Sequence, residues 1–166
     1  QVYGLRDIQA NYCISLILIG AAIGFPLFGF LTKYINIRKL AMSLGSANLI
    51  IFLMLFSDIR LDISTIFCIC FLVGLFTTHE ICIFTNLTRR AEKDTVSLSR
   101  ALVNMVIMSF GFIYNFLVGF ILNEFFKSTS YSDLIFTAEA YRYAFGVMIL
   151  GIVIGIIGFY KAKVFD

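Results

Sequence analysis

Residues 12–31, YCISLILIGAAIGFPLFGFL, decide the fold class of this chain. The stretch holds twenty residues without a charge, and as an α-helix rising about 1.5 Å per residue it is about 30 Å long. That length matches the hydrocarbon core of a bilayer. The sequence therefore predicts a membrane-spanning helix at this position.

The rest of the chain is apolar in the same way. Of its 166 residues, 60% are hydrophobic and 14% are charged, whereas about a quarter of the residues in soluble domains are charged. Charges separate five apolar segments, each about long enough to cross a bilayer as a helix with closed backbone hydrogen bonding. These segments are residues 12–32, 40–57, 63–87, 101–123 and 143–160. We predict an all-α, polytopic membrane helical bundle of about five transmembrane helices, in one domain over residues 1–166.

Basic residues are distributed unevenly between alternate loops and ends. The larger group is Lys33, Arg38, Lys39, Arg89, Arg90, Lys93, Arg100, Lys161 and Lys163, and the smaller group is Arg6, Arg60, Lys127 and Arg142. Because cytoplasmic loops are enriched in Lys and Arg, the larger group and the C-terminus are expected in the cytoplasm. An odd number of spans, an external N-terminal end and no initiator Met indicate that at least one helix precedes this chain. We predict an integral protein of the cytoplasmic (inner) membrane.

A basic turn follows the first span, in residues 24–39, GFPLFGFLTKYINIRK. A sharp turn with a glycine near the helix contact and cations at the surface is suited to coupling helices that slide. The stretch resembles the motif G-x-L-x-D-R-x-G-R-K of the major facilitator superfamily of secondary transporters. Gly29 and Leu31 match the motif. Arg38 and Lys39 match its basic pair to within about one position. Lys33 replaces the acidic residue of the motif, and Asn36 replaces its second glycine.

The resemblance implies a cytoplasmic gating turn. Its members are Gly29, Lys33, Asn36, Arg38 and Lys39. Asn is the next best residue after Gly for a left-handed turn, so Asn36 is expected to keep the geometry. In the family the acidic residue caps a neighbouring helix, a role that Lys33 does not fill.

The resemblance covers the whole chain. Residues 100–122, RALVNMVIMSFGFIYNFLVGFIL, are similar to the family's eleventh helix, and the last span is similar to its terminal helix. Counted in this way, the chain resembles helices eight to twelve of a twelve-helix transporter. This implies part of a major-facilitator-type fold, with the missing N-terminal half of the same transporter as its partner.

Two titratable residues lie inside the third predicted span. A charge near the bilayer centre costs about 2.5–3.5 kcal/mol on insertion scales, so such residues face the bundle interior and mark pathways. His79 and Glu80 are therefore candidates for a substrate or proton pathway, with Thr77 one turn back extending the polar face of Glu80. The alternative is that they only join neighbouring helices through hydrogen bonds.

A polar stripe runs along the fourth predicted span. Asn104, Met108, Gly111 and Asn115 recur at helical spacing, and Tyr114 lies beside Asn115. The two amides and the phenol of Asn104, Tyr114 and Asn115 are candidates for lining a cavity that binds a polar solute. Hydrogen bonding between neighbouring helices is an equal alternative.

Glycines recur at helical spacing in the first and last spans. Gly20 and Gly24 form a G-x-x-x-G pair, and Gly151, Gly155 and Gly158 follow one another in the last span. Small residues allow helix backbones to approach closely, so we predict packing roles for these glycines.

Motifs of several other protein classes are absent from the sequence. It has no Gly-rich phosphate loop with Lys-Ser or Lys-Thr, so an ATP-driven motor is not encoded here. It has no H-E-x-x-H, G-x-S-x-G or paired Cys/His set, so no catalytic residue, metal site or cofactor is predicted. The four cysteines lie in apolar runs and are expected to pack. Topology explains the basic residues, so nucleic acid is not expected as a partner.

The function predicted from these features is secondary active transport of a small polar solute by alternating access, with proton coupling as one option. Two alternatives remain open: a membrane assembly subunit that does not transport, and an intramembrane enzyme. The enzyme alternative has less support, because His79 and Glu80 are adjacent, diverge by about 100° on a helix and face no nucleophile.

Overall fold

The computed structural model describes residues 6–56, 61–126 and 138–161, and every regular element in these ranges is a helix. The helices are α1 (Asp7–Leu31), α2 (Ile37–Phe56), α3 (Ile63–Thr77), α4 (Glu80–Arg90), α5 (Val96–Phe126) and α6 (Ala138–Lys161). Four spans are long and apolar enough to cross a membrane: Asp7–Leu31, Ile37–Phe56, Ile63–Arg90 and Val96–Glu124. A shorter apolar helix covers Phe145–Lys161. The predicted all-α membrane helical bundle is confirmed.

The helices differ from the predicted spans mainly at their ends and in the third span. α1 begins five residues before residue 12, and α5 begins at Val96, so both include polar residues that the hydropathy pattern left out. The third span, predicted over 63–87, consists of α3 and α4 with a turn between them. The predicted end of the second span at residue 57 lies outside the described residues, as do Arg60, Lys127 and Lys163.

α1 and α3 make the closest helix contact in the bundle. A Cβ atom added at Gly74 would lie 2.7 Å from the Ile17 carbonyl carbon, and one added at Gly20 would lie 2.9 Å from the Leu75 amide nitrogen. Both distances are shorter than any that real Cβ atoms show. The backbones of the two helices therefore touch, which only glycine permits at these two positions.

This contact extends along both helices in the same direction. The rings of Tyr12 and Phe67 meet edge-on near the start of α1 and α3, with centroids 6.4 Å apart. Towards the other end, a Cβ at Gly24 would lie 2.8 Å from the Thr78 side chain. The predicted packing role of Gly20 and Gly24 is confirmed, and their partner is α3 of the same chain.

The buried core lies where α1, α2 and α4 meet. Its members are Phe28, Ile37, Leu40, Ala41, Leu44 and Cys82. α6 packs against α2 and α5. α5 contacts α6 and α4, and none of its side chains that the structure describes is buried. One broad face of α5 is therefore left to lipid or to another polypeptide.

Candidate functional site

The third span is interrupted near its middle. α3 ends at Thr77 and α4 begins at Glu80, so Thr78 and His79 form a short turn. α4 is 11 residues long, which places the interruption about 16 Å from the helix end that carries Arg89. His79 keeps helical dihedral angles, φ −56° and ψ −20°, and α3 and α4 together form one apolar span, Ile63–Arg90.

Two threonine hydroxyls bond to the backbone just before the interruption. Thr77 Oγ1 donates to the Val73 carbonyl at 2.6 Å, and Thr78 Oγ1 donates to the Leu75 carbonyl at 2.6 Å. Such bonds compete with the helical hydrogen bonds of the backbone and bend helices. Across the turn the chain continues through two i→i−3 backbone bonds of 3.0 Å, the tighter pattern of a 3₁₀ turn. The turn thus forms without Pro or Gly at Thr78 or His79.

His79 lies in this turn with its ring partly buried. The ring meets Phe159 of α6 edge-on, with centroids 6.5 Å apart and an interplanar angle of 86°. Its Nδ1 atom is buried and makes no hydrogen bond with the residues that the structure describes. The only histidine of the chain is therefore directed into the bundle, towards α6.

Asn48 of α2 faces the same turn and is 4% exposed. Its Nδ2 donates to Thr77 Oγ1 at 3.5 Å, the outer limit of a hydrogen bond, while its Oδ1 is buried and has no partner within the described ranges. Asn48 is not among the candidate residues predicted from the sequence. A signal was present, because it is the one amide side chain in the apolar segment 40–57.

Asn48 and His79 line one cavity of about 50 Å³ between α2, the turn and α6. The other lining residues are Ala41, Gly45, Ile152, Gly155, Ile156 and Phe159. We call it the Asn48–His79 cavity. It brings an amide and an imidazole together in surroundings that are otherwise apolar.

Glu80 and Thr77 flank His79 but have different environments. Glu80 is the first residue of α4 and is partly buried. Thr77 is exposed, with its hydroxyl engaged by Val73 and Asn48. The three pathway candidates of the third span thus lie at one interruption, and His79 is the one that lines the cavity.

The predicted gating turn connects α1 and α2. Asn36 Oδ1 accepts hydrogen bonds from the backbone N–H groups of Arg38 at 2.9 Å and Lys39 at 3.3 Å. Asn36 therefore caps the N-terminus of α2. The cap gives a structural reason for Asn at this position, and this reason differs from the left-handed turn expected from the glycine of the motif.

Gly29 and Lys33 lie on either side of the end of α1. A Cβ at Gly29 would lie 3.6 Å from the Ile81 side chain, an ordinary contact, so no strict need for glycine exists at this position. The Lys33 ammonium lies 5.6 Å from the centroid of the Phe30 ring, within range of a cation–π interaction.

Two arginines connect helix ends that are distant in sequence. Arg38 Nε donates to the Phe159 carbonyl near the end of α6 at 3.1 Å, and its guanidinium lies 5.6 Å from the centroid of the Tyr160 ring. Arg89 Nη2 donates to the Thr32 carbonyl just after α1 at 2.7 Å. Cations near helix C-termini satisfy backbone carbonyls that have no partner within the helix.

These contacts place the helix termini with the most basic residues at one end of the bundle. Arg100 Nη2 of α5 also reaches Thr88 Oγ1 of α4 there, at 2.7 Å. We call this region the basic end. Its basic residues are Lys33, Arg38, Lys39, Arg89, Arg90, Lys93, Arg100 and Lys161.

The polar stripe of α5 lies away from the Asn48–His79 cavity. Asn104 and Asn115 are both exposed, and a Cβ at Gly111 between them would meet none of the described residues within 4 Å. Tyr114 is instead partly buried and packs directly over Gly151 of α6. The structure therefore separates the two amides from Tyr114, and it separates both from His79.

The glycines of the last span differ in their surroundings. Gly151 lies under Tyr114 and has a packing role, as predicted. A Cβ at Gly155 or Gly158 would meet nothing within 4 Å in the part of the chain that the structure describes. Close helix packing does not account for these two glycines within the described bundle.

Two cysteines of α1 and α3 form a pair. The thiols of Cys13 and Cys70 are neighbours across the contact of the two helices, and both are free rather than joined in a disulfide. In the described ranges no three His, Cys, Asp or Glu residues are grouped as a metal ion would require.

Compared with protein-family models, with curated proteins and with solved structures, the chain matches none of them. The features of the chain that bear on its function are therefore the interruption, the cavity and the basic end.

Proposed function

We propose that this chain is the membrane domain, or part of it, of a secondary active transporter of the major facilitator type. It moves a small polar solute across the cytoplasmic membrane by alternating access, with protons as the coupling ion. The observation that carries the proposal is the interruption of the third span at Thr78–His79. Titratable side chains within a span are costly unless they serve a pathway or find partners, and His79 and Glu80 lie at this interruption.

The depth and surroundings of the interruption support this function. Transporters bind solutes and coupling ions near the midplane, often where a helix is discontinuous. The turn at Thr78–His79 lies about 16 Å from the basic end, about half of a hydrocarbon core of about 30 Å. Within the proposal, His79 and Glu80 carry the proton, and Thr77 extends their polar face.

The basic end gives the orientation within this proposal. Because Lys and Arg are enriched on the cytoplasmic side, the basic end faces the cytoplasm and the C-terminus lies there as well. The gating turn then lies on the cytoplasmic surface. Arg38 connects it to α6 through the Phe159 carbonyl, so a movement of the turn is passed to the helix that lines the cavity.

The exposed face of α5 supports a partner in the membrane. Amide side chains directed at lipid lack hydrogen-bond partners, and Asn residues usually contact other helices or a polar pathway. We propose that the N-terminal half of the same transporter covers the face that carries Asn104 and Asn115. These amides then line the solute pathway between the two halves.

The test is uptake into proteoliposomes that contain the full-length protein. A panel of radiolabelled polar solutes is offered with and without a proton gradient, to wild type and Glu80→Gln. The matched control is Glu92→Gln, because Glu92 is exposed in the loop before α5. Gradient-driven uptake by wild type and Glu92→Gln, and loss of its pH dependence in Glu80→Gln, are expected.

Two other outcomes have distinct meanings. If wild type and Glu80→Gln transport alike, proton transfer through Glu80 is refuted while transport stands. If no solute moves in any variant, the transporter proposal fails, and an assembly subunit whose partner covers α5 becomes the better explanation.

A further inference from the structure

We propose that the Asn48–His79 cavity is a buried hydration site, in which water bridges Asn48 Oδ1 and His79 Nδ1. The site connects α2, the α3–α4 turn and α6. It does not depend on the transport proposal, because the evidence for it is the local geometry of buried polar atoms.

The orientation of the Asn48 amide is fixed by its neighbour. The Thr77 hydroxyl proton is used in the 2.6 Å bond to the Val73 carbonyl, so Thr77 Oγ1 is left as an acceptor towards Asn48. The amide must therefore turn its NH₂ group to Thr77. This leaves Asn48 Oδ1 as the acceptor that needs a donor.

Two polar atoms then lack partners at the same cavity. Asn48 Oδ1 and His79 Nδ1 are both buried, and neither bonds to a residue in the described ranges. Buried polar groups in native proteins find a hydrogen-bond partner in protein or ordered water. Since both residues line one cavity, a small species bound there can serve both atoms.

The size and lining of the cavity select water as that species. A water molecule needs a cavity of roughly 10–15 Å³ with polar partners, and this cavity has a volume of about 50 Å³. A hard cation needs about six oxygen ligands, whereas the lining side chains provide one amide oxygen. No lining side chain is a Lys or Arg that would hold an anion.

The single histidine allows a direct test. The full chain labelled with ¹⁵N-histidine and reconstituted in lipid bilayers gives ring signals from His79 alone. Solid-state NMR then measures polarisation transfer from water protons to the ring nitrogens. We expect rapid transfer in wild type and a several-fold slower initial rate in Asn48→Leu, which keeps the bulk of the side chain and removes the acceptor.

A second variant fills the cavity without changing Asn48. A Cβ at Gly45, which lines the cavity, would lie 3.1 Å from Ile156 Cγ1, so Gly45→Ala requires a shift of only a few tenths of an ångström in a flexible side chain. It is expected to slow the transfer as well. The matched control is Gly158→Ala, on α6 outside the lining, where an added Cβ meets no atom within 4 Å in the described ranges.

Two results would overturn the hydration site. One is a wild-type ring that receives no polarisation from water. The other is a transfer rate unchanged in both Asn48→Leu and Gly45→Ala. If Asn48→Leu does not fold, Gly45→Ala decides by itself, with Gly158→Ala as the reference. The experiment uses no solute and no gradient, so its result is independent of whether the protein transports.

Discussion

Replacing Gly74 by Ala should separate α1 from α3. The new Cβ would lie 2.7 Å from the Ile17 carbonyl carbon, about 0.7 Å inside the 3.4 Å at which ordinary contact begins. The atoms in the way belong to the backbone of α1, so no side chain can rotate to make room. The helices must move apart, and overpacking of this kind costs about 1–3 kcal/mol.

Gly119→Ala provides the matched control. Gly119 lies within α5, and a Cβ there would have no neighbour within 4 Å among the residues that the structure describes. Both variants gain the helix preference of Ala over Gly, about 0.5–1 kcal/mol, so the difference between them measures the contact alone. We expect Gly74→Ala to have a free energy of unfolding about 1–3 kcal/mol below that of Gly119→Ala.

Reversible unfolding in mixed micelles, titrated with a denaturing detergent, measures this difference. The unfolding curves of wild type and both variants are compared at one protein concentration. Equal stability of Gly74→Ala and Gly119→Ala would refute the reasoning, because it would mean that the backbones of α1 and α3 are not in contact at Gly74.

Three further predictions concern helix ends and the cysteine pair. Arg89→Met removes the charged hydrogen bond that holds the end of α1 and should lower the free energy of unfolding by about 1 kcal/mol. Arg89→Lys keeps the charge and should lower the free energy of unfolding by less in the same assay. Asp62 caps α3, and hydrogen bonds from the Thr65 side chain and backbone hold its pKa below the ordinary value of 3.8. Its stabilisation is therefore present above that value and lost as the pH falls through the lowered pKa, so thermal unfolding measured against pH should show an acid-side loss that Asp62→Asn lacks. Oxidation with copper–phenanthroline should link Cys13 to Cys70, seen by mass spectrometry as a joined pair of peptides from α1 and α3, and the link should be absent after Cys70→Ser.

The fold class and the contact of the first span could be predicted from sequence. In lipid no water is present to bond to the backbone N–H and C=O groups. Long uncharged segments therefore form helices, which satisfy these groups internally. The spacing of Gly20 and Gly24 also indicated close packing correctly. It did not indicate α3 as the partner, because G-x-x-x-G describes one helix surface and carries no information on the other.

The interruption of the third span could not be predicted from sequence. Threonines often bond back to helical carbonyls without ending a helix, so Thr77 and Thr78 give no distinctive signal in the absence of Pro or Gly. The site around His79 could not be predicted either, because it depends on tertiary contacts. Asn48 and Phe159 reach the site from α2 and α6. The sequence around either residue does not indicate that His79 is its neighbour.

The two arginines at the basic end have a consequence for topology engineering. Arg38 and Arg89 contribute to the charge bias that directs insertion, and the same side chains hold the ends of α6 and α1 in the folded bundle. A charge-swap experiment that neutralised them to invert the protein would also weaken its tertiary structure, and the two effects would be confounded. The exposed Lys39 and Lys93 are better positions for such swaps, since changing them alters the insertion signal and leaves both arginine contacts in place.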